Sequence, residues 1–298
     1  MTDRVLFYDQ ISRNKRNSVI LMFGIILVII ALGASIGLAM GEGYFFIILA
    51  IASVISIIYV WIGFYNSDKV ALASVGAKKA DKNKHRMLYH SVESIALASG
   101  MPMPGVYVMP GRQINAFATG RNPEHAVICV TEGALEKLDK RELEGVIAHE
   151  MGHIANYDIR FMTLTAVLVG MIAIISQIFL RSLWFSGGRD RGRAGIIFLI
   201  IGIVLAILAP IVVYLVQMAI SRKREFTADA TAVKFIRGNT GLVSALKKIK
   251  SENEPLKRGQ VNKAVAPLFI SDPFKMSASG LTATHPPIDK RISILERM

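Results

Sequence analysis

Four long stretches without a charged residue limit what this chain can fold into more than any other feature. Ser18 to Met40, Tyr44 to Ser67, Met162 to Leu180 and Ala194 to Ser221 contain no Asp, Glu, Lys or Arg. At about 1.5 Å of rise per residue, each is long enough as a helix to cross a hydrocarbon layer of about 30 Å. The first run is too long for a secretory leader, no clear cleavage pattern follows it, and a second run comes at once, so it reads as a retained helix. Tyr59, Trp61, Phe64 and Tyr65 close the second run, where an aromatic belt belongs. Residues 1–67 therefore read as a transmembrane hairpin with spans at about 18–40 and 44–66.

The charges around these runs set the orientation. Arg4, Arg13, Lys15 and Arg16 precede the first run, and Lys69, Lys78, Lys79, Lys82, Lys84 and Arg86 follow the second. The turn Gly41-Glu42-Gly43 carries no cation. The positive-inside rule then puts the N-terminus and the segment after residue 67 in the cytoplasm. Residues 161–221 hold the other two hydrophobic segments, at about 162–180 and 195–220, with Pro210 as a kink in the second. The loop between them holds Arg181, Arg189, Arg191 and Arg193 against Asp190. If both segments cross, this loop lies outside, against the rule; a re-entrant hairpin avoids the conflict. Their length favours crossing.

The chain carries a net charge of +13, from 35 Lys and Arg against 22 Asp and Glu. Because the cations flank apolar runs, they point to an anionic bilayer surface. There is no phosphate-binding glycine loop, zinc-finger spacing or basic-aromatic repeat, so no nucleic acid partner is expected. The single cysteine, Cys129, excludes an intrachain disulfide and reads as a small buried residue of the apolar run Ala126 to Val130.

Residues 68–160 read as a water-facing segment. Asp81 to Ser99 has Leu88, Val92, Ile95 and Ala96 at helical spacing and stops at Gly100 and Pro102. Val106 to Met109, Ile114 to Thr119 and His125 to Val130 read as strands, the middle one alternating as a half-exposed strand does. An exposed edge of such a sheet could take an extended peptide by strand addition. Glu132 to Leu138 is a short helix. Asp139 to Asp158 is a longer one, with Asp139 as N-cap and Glu142 at capping-box spacing.

That longer helix holds Ala148-His149-Glu150-Met151-Gly152-His153. Two histidines four apart lie on one helical face and can share a Zn²⁺, with Glu150 between them as general base for an activated water. A surface helix that happens to carry two histidines is the plain alternative. A catalytic zinc site takes three protein ligands, and His₂Glu is one such set. Glu225, just after the fourth run, is the best candidate for the third. Asp229, one turn on, can accept the free ring N–H of a ligating histidine. An acidic pair one turn apart is otherwise slightly unfavourable. His149, His153 and Glu225 can share a metal only if the intervening chain crosses the membrane an even number of times. The site must also lie near the bilayer surface.

These residues resemble the gluzincin metallopeptidases, and within them the HtpX-type family of bacterial inner-membrane zinc proteases, related to the CAAX prenyl endopeptidases. The paired motifs carry the resemblance: His149-Glu150-x-x-His153, and Ser221-Arg222 with Glu225-Phe226 and Ala228-Asp229. Asn115 to Gly120 and Thr284-His285-Pro286-Pro287 support it less specifically. The resemblance covers essentially the whole chain. It implies an α-helical multi-pass membrane protein whose cytoplasmic zincin-like domain is mainly α with a small β-sheet, built from residues 68–160 and 222–298. It also implies one zinc per chain, and turnover of misfolded membrane proteins or unfolded polypeptides at the cytoplasmic face of the cell membrane. For the oxyanion donor, the family suggests His285, and Arg222 is the other candidate. His285 could instead cap the last helix. Asn115 is a candidate for holding substrate backbone, or simply a polar residue on an edge strand. His85, His90 and His125 read as surface residues. A multi-pass transporter or metal-binding membrane protein is the competing reading. The uncharged runs lack the intramembrane charges a transporter uses, and transport has no need of Glu150.

The C-terminal part continues the Glu225 helix to Ile236 and adds a short helix at Leu242 to Ile249. A polar stretch at 251–283 reads as a loop near the cleft. Ile288 to Met298 closes the chain, with Ile288, Ile292 and Leu295 at core spacing.

Overall fold

The first uncharged run does not begin its helix. In the computed structural model, which describes residues 7–40, 42–166, 202–204, 222–252, 268–271 and 286–298, helix α1 runs from Phe7 to Met40. Its polar lead-in is helical because Asn14 and Ser18 share one stripe with Leu21 and Ile25, and all four are buried. Helix α2 (Glu42–Tyr65) returns alongside it, with Gly33 against Ala52 and Gly37 against Phe45. Both helices are long and apolar enough to cross a membrane, over Ile11–Ala34 and Gly43–Tyr65. Phe46, Ile51, Ile55, Ile58 and Trp61 are exposed on α2, an apolar exterior that suits lipid rather than water. Beyond residues 162–166 and 202–204, which are helical, the third and fourth uncharged runs lie outside the described residues, as does the loop from Arg181 to Arg193.

After α3 (Ser67–Ser74) the chain enters a four-stranded sheet ordered β1-β2-β4-β3. Strand β1 (Lys78–Lys79) pairs antiparallel with β2 (Gly105–Met109), β2 pairs parallel with β4 (Ala126–Thr131), and β4 pairs antiparallel with β3 (Ala116–Gly120). Helix α4 (Arg86–Ser99) buries Leu88, Val92, Ile95 and Ala96 as the spacing predicts, and Gly100 ends it in the left-handed region. It starts later than Asp81 because that carboxylate accepts the N–H groups of Asn83 and Lys84 and holds a turn.

Strand β3 differs from the half-exposed strand the alternation suggests. All five of its residues are buried. Although it is last in the sheet, part of its outer edge is covered. Phe117 bridges Phe269, and Ile270 donates its N–H to the Ala116 carbonyl. The edge open to strand addition is therefore shorter than the sequence implies.

Helix α5 (Glu132–Lys137) leads into α6 (Lys140–Ala155), where both bonds of the Asp139–Glu142 capping box are present. Helices α7 (Arg222–Ile236) and α8 (Thr240–Ser251) pack on α6, which also touches α4 and β3. Helix α9 (Ile288–Leu295) closes the chain against α7 and α8. A second apolar cluster joins Leu21 and Ile25 of α1 to Phe117, Cys129, Phe161, Met162 and Phe269, so the α1–α2 hairpin and the sheet share a core. Cys129 is fully buried within it, with a free thiol.

Candidate metal centre

Every residue of α6 from Gly145 to Ile154 is buried, including His149, Glu150 and His153. Burial of three polar side chains on one helix needs partners, and most come from α7. Gly152 permits the approach: a Cβ there would lie 2.9 Å from the Ala228 carbonyl oxygen. With the helices this close, Glu225 reaches both rings. Its Oε2 is 3.7 Å from His149 Nε2, and its Oε1 is 3.5 Å from His153 Nε2.

The other nitrogen of each ring is held by a carboxylate. His149 Nδ1 is 2.9 Å from Asp229 Oδ1, and His153 Nδ1 is 3.0 Å from Asp158 Oδ2. A proton on each Nδ1 satisfies these bonds and leaves a lone pair on each Nε2, both facing Glu225. Donor atoms of His149, His153 and Glu225 all lie within 4.8 Å of one another. Two imidazoles and a carboxylate with fixed tautomers fit a catalytic zinc ion. Beside them, the Glu150 carboxylate faces the backbone of β3 at Ala118, and its Oε1 is buried without a partner. A buried orphan oxygen is costly, and a water or substrate atom bound next to a metal would relieve it.

Electrostatics divide the two rings. Burial, then the charge of Arg291, pushes His149 down to about 4, and Asp229 only partly offsets them. Burial also opposes charge on His153, but Asp158 and Glu225 outweigh it and hold that ring well above its ordinary value. Burial raises Glu150 to about 7, helped by the nearby charge of Glu225. Asp229 falls to about 2, since Arg291 and His149 overcome its burial.

Three residues near the site escaped the sequence reading. Arg291 of α9 is buried, donating to Asp229 Oδ2 at 2.9 Å through Nε and to Oδ1 at 2.7 Å through Nη2. Its Nη1 is 3.4 Å from Glu225 Oε2. Its Nη2 is nearly equidistant from the two nitrogens of His149, at 3.2 and 3.3 Å, so it lies over the ring rather than along a lone pair. The signal was available: Arg291 completes the apolar stripe of Ile288, Ile292 and Leu295, where a cation needs a buried partner. Asp158 and Asn14 gave no comparable signal.

Of the remaining candidates, Asp229 lies one turn beyond Glu225 on α7. Arg222 begins α7. Asn115 is buried, with its carboxamide turned to its own chain, donating to the Ser271 carbonyl and accepting from the Ala116 N–H. It thereby fastens the segment that covers the β3 edge. His285 lies outside the described residues, as does most of the polar stretch 251–283. His90 and His125 are exposed, and His85 stands at the N-cap position of α4 without a side-chain capping bond, its Nδ1 accepting from the Asp81 N–H of the preceding turn.

Comparisons with known proteins bear on this geometry. The family described as Peptidase family M48 matches residues 82–298. A protease HtpX homolog of Caldanaerobacter subterraneus subsp. tengcongensis is 49% identical over 247 residues, covering 81% of this chain and 82% of the relative. One of Ligilactobacillus salivarius is 39% identical over 300 residues, covering 98% of this chain and 100% of the relative. Among solved structures, the crystal structure of S. mikatae Ste24p is similar with a TM-score of 0.51 at 21% identity. That match covers 95% of this chain and 65% of the Ste24p chain, and it speaks to the fold.

Proposed function

The chain belongs to peptidase family M48, among the HtpX-type proteases, and is a membrane metalloprotease; from that premise we propose that His149, His153 and Glu225 hold one zinc ion and that Glu150 is the general base. The observation that carries this reading is the convergence of the three donors within 4.8 Å beside the orphaned Oε1 of Glu150. The family is zinc-dependent in general.

Bound zinc would supply Lewis acidity, polarising the scissile carbonyl and acidifying the attacking water. Glu150 accepts the water proton at its carboxylate and returns it to the leaving nitrogen. Burial raises the proton affinity of that carboxylate, the direction a general base requires. Asp229 and Asp158 keep the two rings in the tautomer that presents Nε2. Arg222 and His285 are the candidate donors to the developing oxyanion.

Substrates in this reading are misfolded or damaged membrane proteins and unfolded polypeptides, cut at the cytoplasmic face of the bacterial inner membrane. The cationic flanks of the hairpin support that orientation. The shared core between α1 and the sheet supports a site next to the bilayer. The third and fourth uncharged runs complete a multi-pass chain.

Glu150→Gln tests the assignment. Zinc should remain bound at one per chain while proteolysis of an unfolded membrane protein falls about 10²- to 10⁴-fold. Full activity in that variant would end the proposal. A chelator should abolish the wild-type activity and added zinc restore it. For Glu225→Ala, unchanged zinc affinity would remove it from the ligand set.

A further inference from the structure

The polar lead-in of α1 reaches the metal centre. Asn14 is 2% exposed, and its Nδ2 donates to the Asn156 carbonyl at 2.9 Å and to Asp158 Oδ1 at 2.7 Å. Asp158 is fully buried, and its other oxygen, Oδ2, is the one 3.0 Å from His153 Nδ1. A single carboxylate thus joins the first membrane helix to a ring whose Nε2 faces Glu225. Neighbouring contacts hold the junction. Ser18, one turn on, donates to the Asn14 carbonyl at 2.8 Å. Lys15 lies 4.1 Å from the centroid of Tyr157, a residue held at a φ of 58°.

We propose that Asn14 is a positioning residue for the metal centre: by holding Asp158 Oδ1 it fixes the carboxylate that orients His153. This rests on the reading of His153 as a zinc ligand. A carboxylate bonded through one oxygen alone can turn about its Cβ–Cγ bond, and the ring it holds turns with it. With both oxygens engaged, its plane is set, and so is the direction of the Nε2 lone pair. The nearest other charged donor to Oδ1 among the ion pairs described is Arg224 Nε at 3.8 Å, beyond hydrogen-bond reach. Behind the opposite ring a carboxylate is also held at both oxygens: Arg291 donates to Asp229 Oδ2 and to Oδ1, the oxygen that meets His149. Asn14 is the counterpart of Arg291, supplied by the membrane hairpin. The first helix is therefore a working part of the site as well as an anchor.

The test measures zinc affinity of the full-length protein in detergent micelles, by competition against a fluorescent chelator. Asn14→Leu should weaken zinc about 3- to 10-fold, less than the 10- to 100-fold typical of losing a direct partner such as Asp158 in Asp158→Asn. Proteolysis at subsaturating zinc should fall in parallel, with KM unchanged. Combining Asn14→Leu with Asp158→Asn should add no further loss, because Asn14 acts through Asp158. Unchanged affinity in Asn14→Leu, or fully additive losses in the double variant, overturns the proposal. Should the leucine variant fail to insert, Asn14→Ala is put through the same cycle, with the same outcomes decisive. His153→Ala separates the two levels. If it keeps full zinc stoichiometry, the ligand reading fails. If it loses zinc while Asn14→Leu does not, only the positioning role fails.

Discussion

At the N-terminal end of α6, Asp139 and Glu142 close a capping box over three residues of sequence, with Lys248 and Ser244 adding bonds to the Glu142 carboxylate. At the C-terminal end, the Asn156 carbonyl and the Asp158 carboxylate are held by Asn14, 142 and 144 residues away. The capping box at the first end is a local device that any helix can carry, to which α8 adds two bonds. The second is assembled only when the α1–α2 hairpin, α6 and α7 have met, and it is the end that holds the histidines. The helix is started by its own sequence and aimed by the rest of the chain.

The sharpest way to break this contrast is at the long-range end. Arg291→Met should leave Asp229 as a buried carboxylate without its cation and cost about 3–5 kcal/mol, read by denaturant unfolding in micelles. Asp229→Asn in that background should recover part of the loss. A cost near zero would mean that α9 does not support the site. Gly152→Ala comes next. Its Cβ would meet the Ala228 carbonyl oxygen at 2.9 Å, so α6 and α7 must separate, at about 1–3 kcal/mol of overpacking. Zinc affinity should fall with it, because Glu225 rides on α7; unchanged affinity would show that the helices can part without moving the donors.

The smallest effect belongs to the local end. Glu142→Gln should cost about 1 kcal/mol near neutrality, with the share from the half-exposed Lys248 reduced by solvent screening. Burial raises the Glu142 pKa, but Lys248, Ser244 and the Asp139 N–H outweigh it and leave the carboxyl below its ordinary value. A depressed pKa stabilises the fold above the unfolded value of about 4.3, and that contribution is lost as pH falls through the folded one. The gap between wild type and Glu142→Gln should therefore close on acidification. A gap that widened instead would refute the sign.

This contrast also explains what could be read from the sequence. The capping box and the buried face of α4 obey rules spanning a few residues, and they lie where those rules put them. Arg291 could have been found, since a cation on the apolar stripe of a terminal helix demands a buried partner. Asn14 could not. An asparagine before a membrane span is unremarkable until a neighbour is known, and its neighbour Asp158 is oriented by a backbone turn at Tyr157 that no residue preference announces. The burial of β3 was hidden for a related reason. Its alternation was real, but Phe269 arrives from far along the chain to cover the outward face.

Cys129 bears on experiment rather than catalysis. It is the only cysteine, it sits at zero exposure in β4, and burial pushes its thiol far above the ordinary range. Buried and held protonated, it should be silent to alkylating probes. The native chain is thus already a clean background for labelling. A cysteine placed between Arg181 and Arg193 would report alone, and a membrane-impermeant maleimide would reveal on which side of the bilayer that loop lies.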